Sequence, residues 1–163
     1  MPVSDATPHD DLGEPYLGGP PRRVVSLVPS TTETVALAAP ELLVGATDYC
    51  VRPDDLDVPR VGGSKYPSLE KVLACRPDLV LANAEENRKS DVEALREAGV
   101  AVWTSFPRDV SQACASARRM LVDGLGLAEP DWISHAERAW AAPSPPARRA
   151  VIPIWRRPWM VLG

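Results

Sequence analysis

Histidine is close to absent from this chain: His9 and His135 are the only two, too few and too far apart for an imidazole metal cage. Cysteine is hardly better represented. Cys50, Cys75 and Cys114 form an odd number at wide spacing with no CxxC pair, which argues against a disulfide framework or a structural zinc site. Each thiol is expected to act as a small buried apolar residue. No basic run exceeds a pair, and the net charge is −4, so nothing points to a nucleic-acid partner. No apolar stretch approaches the ~18 residues of a membrane helix. The opening segment Met1–Pro21 has neither a basic n-region nor an apolar h-region, so as written the chain carries no secretory signal and reads as cytoplasmic. Catalytic signatures are missing as well: there is no GxSxG elbow, Walker loop or HExxH, and no Cys beside a His. Glu33, Glu85 and Glu86 have no second group placed to work with them as acid and base. No catalytic residue and no protein metal ligand is assigned, and the chain does not read as an enzyme.

What is present is the composition of a soluble domain, 45% hydrophobic and 25% charged over 163 residues. Residues 1–21, acidic and rich in Pro and Gly, are expected to be a flexible tail. Arg23–Val28 is a β-branched apolar run suited to a buried parallel strand. Pro29 stops it, and Ser30-Thr31-Thr32-Glu33 has the spacing of a capping box that opens a helix, which Pro40 closes. Leu42–Ala46 follows as a short strand. Prolines and glycines through residues 51–67 predict a long loop. Ser68–Cys75 places Leu69, Val72 and Leu73 on one helical face, Asp78–Ala82 is a strand, and Ser90-Asp91-Val92-Glu93 is a second capping box. Val100–Trp103 is the next strand. Val110, Ala113, Cys114, Ala117 and Leu121 then mark an amphipathic helix over 109–122.

Strands alternating with helices imply βαβ units and a mostly parallel sheet flanked by helices, an α/β lobe over residues 22–125. A further helix runs from about Pro130 to Ala142, and a Pro-rich linker extends to 146. Residues 147–163 begin new strands whose Trp-rich apolar surface nothing downstream covers.

Several blocks occur in a telling order: Ser26-Leu27-Val28-Pro29-Ser30, Val44–Tyr49, Val61-Gly62-Gly63-Ser64-Lys65-Tyr66-Pro67, Arg76–Arg88 and Pro153–Met160. Together they resemble the helical-backbone metal receptors, the cobalamin- and siderophore-type solute-binding proteins of ABC importers. The resemblance implies one lobe of a class III periplasmic-binding-protein-like fold, an interlobe helix over 126–146, and a truncated second lobe at 147–163. It implies a ligand that arrives as a pre-chelated metal, cobalamin or a ferric siderophore, with no other cofactor, and an ABC permease as partner. Such receptors are normally extracytoplasmic.

Ligands of open α/β sheets sit beyond the carboxyl ends of the strands. Four loops leave such ends here, joined by Ser64, Lys65 and Tyr66. Ser30, Thr31 and Thr32 lie at a helix N-terminus, where free N–H groups favour an anion or a carbonyl-rich ligand; Ser30 could equally be only a cap. Tyr49 and Tyr66 offer flat faces with a hydroxyl, and Tyr49 matches by resemblance a ligand-contacting tyrosine of the cobalamin receptor. Glu86 and Arg88 would frame the cleft mouth, or belong to a solvated loop in which Asn87 or Ser90 caps the next helix. Arg108 would neutralise an anionic chelate. Trp155, Arg156 and Trp159 would face the cleft from the second lobe. Glu70 occupies the position where the family's glutamate pairs with permease arginines. Two alternatives stand beside an incomplete chelate receptor: a lone lobe that forms a homodimer through its C-terminal segment, and an inactive gene remnant.

Overall fold

A computed structural model describes residues 7–141, 151–157 and 159–162. Four strands, β1 (Val24–Ser26), β2 (Leu43–Ala46), β3 (Leu79–Asn83) and β4 (Ala101–Ser105), form one sheet in the order β2-β1-β3-β4. Every neighbouring pair is parallel, with Val24 opposite Leu79 and Leu79 opposite Ala101. The helices are α1 (Pro29–Ala38), α2 (Leu69–Ala74), α3 (Lys89–Glu97), α4 (Val110–Arg119) and α5 (Asp131–Ala141). Two further strands, β5 (Ile152–Arg156) and β6 (Trp159–Leu162), pair antiparallel as a separate two-stranded sheet.

The short apolar runs become strands because both faces of the sheet are covered. Val24, Leu79, Leu81 and Trp103 point to one face, where they pack with Val35 of α1, Cys114 of α4 and Ile133 of α5. Val25, Leu27, Val80, Ala82 and Val102 point to the other and meet Val72 of α2 and Leu95 of α3. This period of two within almost unbroken apolar runs is the signature of a doubly covered parallel sheet. Cys50, Cys75 and Cys114 are all buried, as the sequence suggests. After α4 the helix widens into a π-helical turn, Met120–Gly124. A Cβ at Gly124 would stand 3.0 Å from the Trp103 ring, so only glycine lets the turn lie flat on that indole.

The caps differ from expectation. Neither Ser30 nor Ser90 caps a helix: the N-caps of α1 and α3 are Val28 and Arg88, without a side-chain cap bond. Pro29 opens α1, with its φ already helical and no N–H to satisfy. The working caps are Ser68, whose Oγ accepts from Lys71 N–H at 3.4 Å, and Asp109, whose Oδ1 accepts from Gln112 N–H at 2.8 Å. On α2, Val72 is buried while Leu73 is 38% exposed, so the apolar face is narrower than its periodicity predicts.

The expectation of a flexible segment over 1–21 fails for residues 7–21. β4 is an edge strand whose outer backbone groups need partners, and two consecutive aspartates provide them. Asp11 N–H donates to Thr104 O (3.1 Å), Thr104 N–H to Asp10 Oδ2 (3.0 Å) and Phe106 N–H to Asp11 Oδ2 (2.7 Å). Asp11 also accepts from Ser116 and Arg119. Tyr16 is buried edge-on against Trp103, with ring centroids 6.0 Å apart. Burial alone would raise the Asp11 carboxyl; the bonds from Phe106, Ser116 and Arg119 outweigh it and hold it below its ordinary value.

Candidate functional site at the carboxyl edge of the sheet

Because the four strands run parallel, their carboxyl ends share one edge. The chain leaves β1 for β2 on one side and then crosses to β3 on the other, so the direction of winding reverses between β1 and β3. Open α/β sheets leave their binding crevice at such a switch point.

At the end of β1, Thr32 is the first residue of α1 to find a backbone acceptor, with N–H to Val28 O at 2.9 Å. The N–H groups of Ser30 and Thr31 stand ahead of it at the open end of the helix. Ser30 is exposed and Thr31 lines a cavity of about 250 Å³ together with Asn83, Ser105, Met120 and Trp132. Thr32 corrects the expectation. It is wholly buried, its hydroxyl donating to Val28 O at 2.9 Å and lying 3.0 Å from Cys50 Sγ, so it supports the edge from below and no ligand can reach it.

The loop after β2 is built around that same thiol. Thr47 Oγ1 lies 3.1 Å from Cys50 Sγ, and Arg60 donates to Thr47 O (3.2 Å) and Cys50 O (2.8 Å). The loop is held closed from behind, and Tyr49 is displayed outward, 65% exposed. Its ring borders Gly63, where an added Cβ would lie 3.4 Å from Tyr49 Cε2. Gly62 has φ +93°, and a Cβ there would meet Ser68 N at 3.2 Å. This glycine turns the chain so that Ser64, Lys65 and Tyr66 stand beside the end of β3.

Asn87 joins the two loops. Its amide donates to Ser64 O at 2.7 Å and Leu27 O at 3.4 Å, and its Oδ1 accepts from Asn83 N–H at 2.8 Å. One buried side chain therefore ties β1, β3 and the 64–66 segment together. Neither residue proposed to cap α3 does so; Asn87 is instead a fastener across the edge, and only the density of polar residues in 83–88 hints at that. Asn83 Oδ1 accepts from Glu85 N–H (2.8 Å) and Glu86 N–H (3.2 Å), folding the loop tightly. Lys65 Nζ donates to Glu85 O at 3.2 Å. Burial first, and then the charge of Glu85, pushes the Glu86 carboxyl above its ordinary value. The Arg88 guanidinium lies 4.7 Å from the centroid of the Tyr66 ring, which is 69% exposed.

The other predicted residues lie further out. Arg108 is exposed and stacks on Phe106 at 4.8 Å. Glu70 is exposed in the first turn of α2, the helix that follows the 64–66 segment. Trp155 and Trp159 fall in β5 and β6, where Trp155 pairs with Met160 and Arg156 with Trp159; the surroundings of both indoles lie outside the described residues. Arg156 is exposed.

No family model matches the chain. Known proteins and solved structures do match it. An uncharacterized ABC transporter substrate-binding lipoprotein of Bacillus subtilis, YvrC, is 36% identical over 87 residues, which is 52% of this chain and 28% of that protein. The vitamin B12-binding protein of Vibrio cholerae is 32% identical over 104 residues, 62% of this chain and 36% of its own. A crystal structure of the V. cholerae periplasmic vitamin B12-binding protein shares the fold, with TM-score 0.69 at 22% identity over 88% of this chain and 59% of that one. A periplasmic haem-binding protein of Pseudomonas aeruginosa has TM-score 0.57 at 31% identity over 74% of this chain and 41% of that one. The matched stretch spans about a third of the length of the two curated relatives. With its parallel sheet and the order of its edge loops, the chain is a distant homologue, over part of their length, of the vitamin B12-binding and haem-binding proteins of the ABC-transporter substrate-binding type.

Proposed function

We propose that this chain supplies one wall of the binding cleft in a solute-binding protein for a metal chelate, of cobalamin or haem type, that serves an ABC importer. The observation that carries this reading is the pair of outward-facing rings, Tyr49 and Tyr66, at the switch point of a sheet shared with vitamin B12- and haem-binding proteins. A flat apolar ring with a polar tip suits a large, mostly apolar chelate with a polar rim. Lys65, Glu86 and Arg88 supply charge beside the rings, and the α1 N-terminus offers N–H donors to carbonyl or carboxylate arms. Ferric siderophores belong to the same class of ligand and are included in the test. In this reading α5, fastened to α4 by Arg118 through Glu129 (2.9 Å) and Glu137 (2.8 Å), leads toward a second lobe, β5–β6 begin that lobe, and Glu70 is the contact for permease arginines.

The test is a thermal-shift titration of the purified chain with cyanocobalamin, haemin and a panel of ferric siderophores. Free ligand at 100 times Kd stabilises by about 2.7 kcal/mol, which raises the melting temperature of a chain of this size by roughly 5–10 °C. A flat response to every chelate from a cooperatively melting protein would remove the proposal.

One observation favours a second reading. Trp140 on α5 is exposed beside Val110 of α4, and Trp132 on the same helix is exposed as well, apolar surface suited to covering by another protein chain. A lone lobe that dimerises would show twice its mass in light scattering, reduced to the monomer by Trp140→Ser or by removal of residues 149–163.

A further inference from the structure

We infer that Asp91 is a positioning residue of the proposed cleft: through Arg88 it holds the Tyr66 ring as a fixed platform for a ligand that presents an open conjugated face. The inference rests on the chelate-binding reading and goes further, to the class of chelate and to a residue behind the surface.

Asp91 lies in the first turn of α3, is 5% exposed, and does not take part in a capping box. Its two carboxylate oxygens accept from Arg88, Nε to Oδ2 at 2.9 Å and Nη2 to Oδ1 at 2.8 Å. That fork fixes the plane of the guanidinium as well as its position. The N-terminal end of α3 favours the negative charge that does the holding. The guanidinium carbon then sits 4.7 Å from the Tyr66 ring centroid, covering one face of the ring. Exposure of 69% leaves the opposite face and the hydroxyl in solvent. The residues just before Tyr66 and Arg88 are themselves tied to each other, Asn87 to Ser64 O at 2.7 Å and Lys65 to Glu85 O at 3.2 Å. The ring is thus backed by Arg88, and its segment is tied to the loop after β3, so it loses little freedom when a ligand arrives.

A platform backed by a cation stacks on a second flat face. Of the chelates in the proposed class, one with an uncovered conjugated macrocycle, such as haemin, can lie on it. A corrin whose faces carry axial groups cannot approach as closely.

The experiment uses the whole chain and haemin, with binding followed by absorbance. Tyr66→Phe, which keeps the stacking face, should bind more tightly than Tyr66→Ala. Tyr66→Ala, Arg88→Lys and Asp91→Asn should each weaken binding about three- to tenfold. Asp91→Asn added to Tyr66→Ala should cost nothing further, because Asp91 acts only through the ring. Melting temperatures of the ligand-free variants are measured alongside. Asp91→Asn that lowers stability but leaves the haemin Kd unchanged, or that weakens binding equally with and without Tyr66, overturns the inference. Parent protein that binds cyanocobalamin but not haemin also overturns it, while the chelate-binding reading survives. Parent protein that binds no chelate removes both.

Discussion

Asn87 shows how much of the edge depends on single side chains. Its amide satisfies groups on β1, β3 and the 64–66 segment at once. Asn87→Ala leaves several of these inside without a partner, and the expected loss is about 2–4 kcal/mol in a urea titration, with weaker chelate binding alongside. Thr32 makes the opposite prediction. Its hydroxyl is bonded beneath the surface, so Thr32→Val should cost about 1 kcal/mol of stability and leave chelate affinity within a factor of two. Gly62 is the third residue of this kind. With φ +93° and Ser68 N 3.2 Å from a would-be Cβ, Gly62→Ala should destabilise by roughly 1–3 kcal/mol and displace Tyr66.

At the scale of elements, the segment around Asp10 and Asp11 acts as a cover for the β4 edge. A carboxyl held below its unfolded value, as that of Asp11 is, contributes stability that is present above the unfolded pKa and lost as pH falls through the lower folded one. The unfolded value is near 3.8. The melting temperature should therefore fall with acid below about that pH more steeply in the parent than in Asp11→Asn, which is already weaker at neutral pH. If the two pH profiles run parallel, the carboxylate is not what holds the segment. Removing residues 1–19 takes away both aspartates and the buried Tyr16; the bared edge should then pair between molecules, seen as a rise in light scattering at concentrations where the parent stays clear. Helix α5 depends on Arg118, so Arg118→Ala should speed hydrogen exchange in 131–141 ahead of the sheet.

For the whole molecule, both apolar clusters lie between Tyr16 and Ala136 and share the sheet as their common wall. The two faces should therefore melt together. A chain ending at residue 141 is expected to unfold in one cooperative transition, with a midpoint within a few degrees of the parent in calorimetry. The proposed ligand is a macrocycle, which is far larger than the cavity of about 250 Å³ at the α1 N-terminus. In the proposed reading the open edge carrying Tyr49 and Tyr66 would receive the ligand, and the cavity at most a side arm.

The order of strands and helices was legible in the residues because doubly buried strands need unbroken apolar runs and surface helices need a period near 3.6, and both patterns are local. The resemblance to vitamin B12- and haem-binding proteins was legible for a related reason: several of its blocks are loops at strand ends. Tyr49 and Arg88 lie on loops that leave strand ends, and Tyr66 lies on the segment beside them. The caps were not legible, since Ser30 and Ser90 have the right spacing but Pro29 and the Arg88–Asp91 fork satisfy the helix ends differently. Residues 7–21 carry the composition of a tail, and only the unpaired edge of β4, some ninety residues away, makes acceptors of Asp10 and Asp11. Thr32 and Asn87 could not be told apart from ligand groups or caps for the same reason. Which polar groups face outward, and which are spent fastening loops to each other, depends on contacts between segments distant in the chain, and tertiary structure alone decided that.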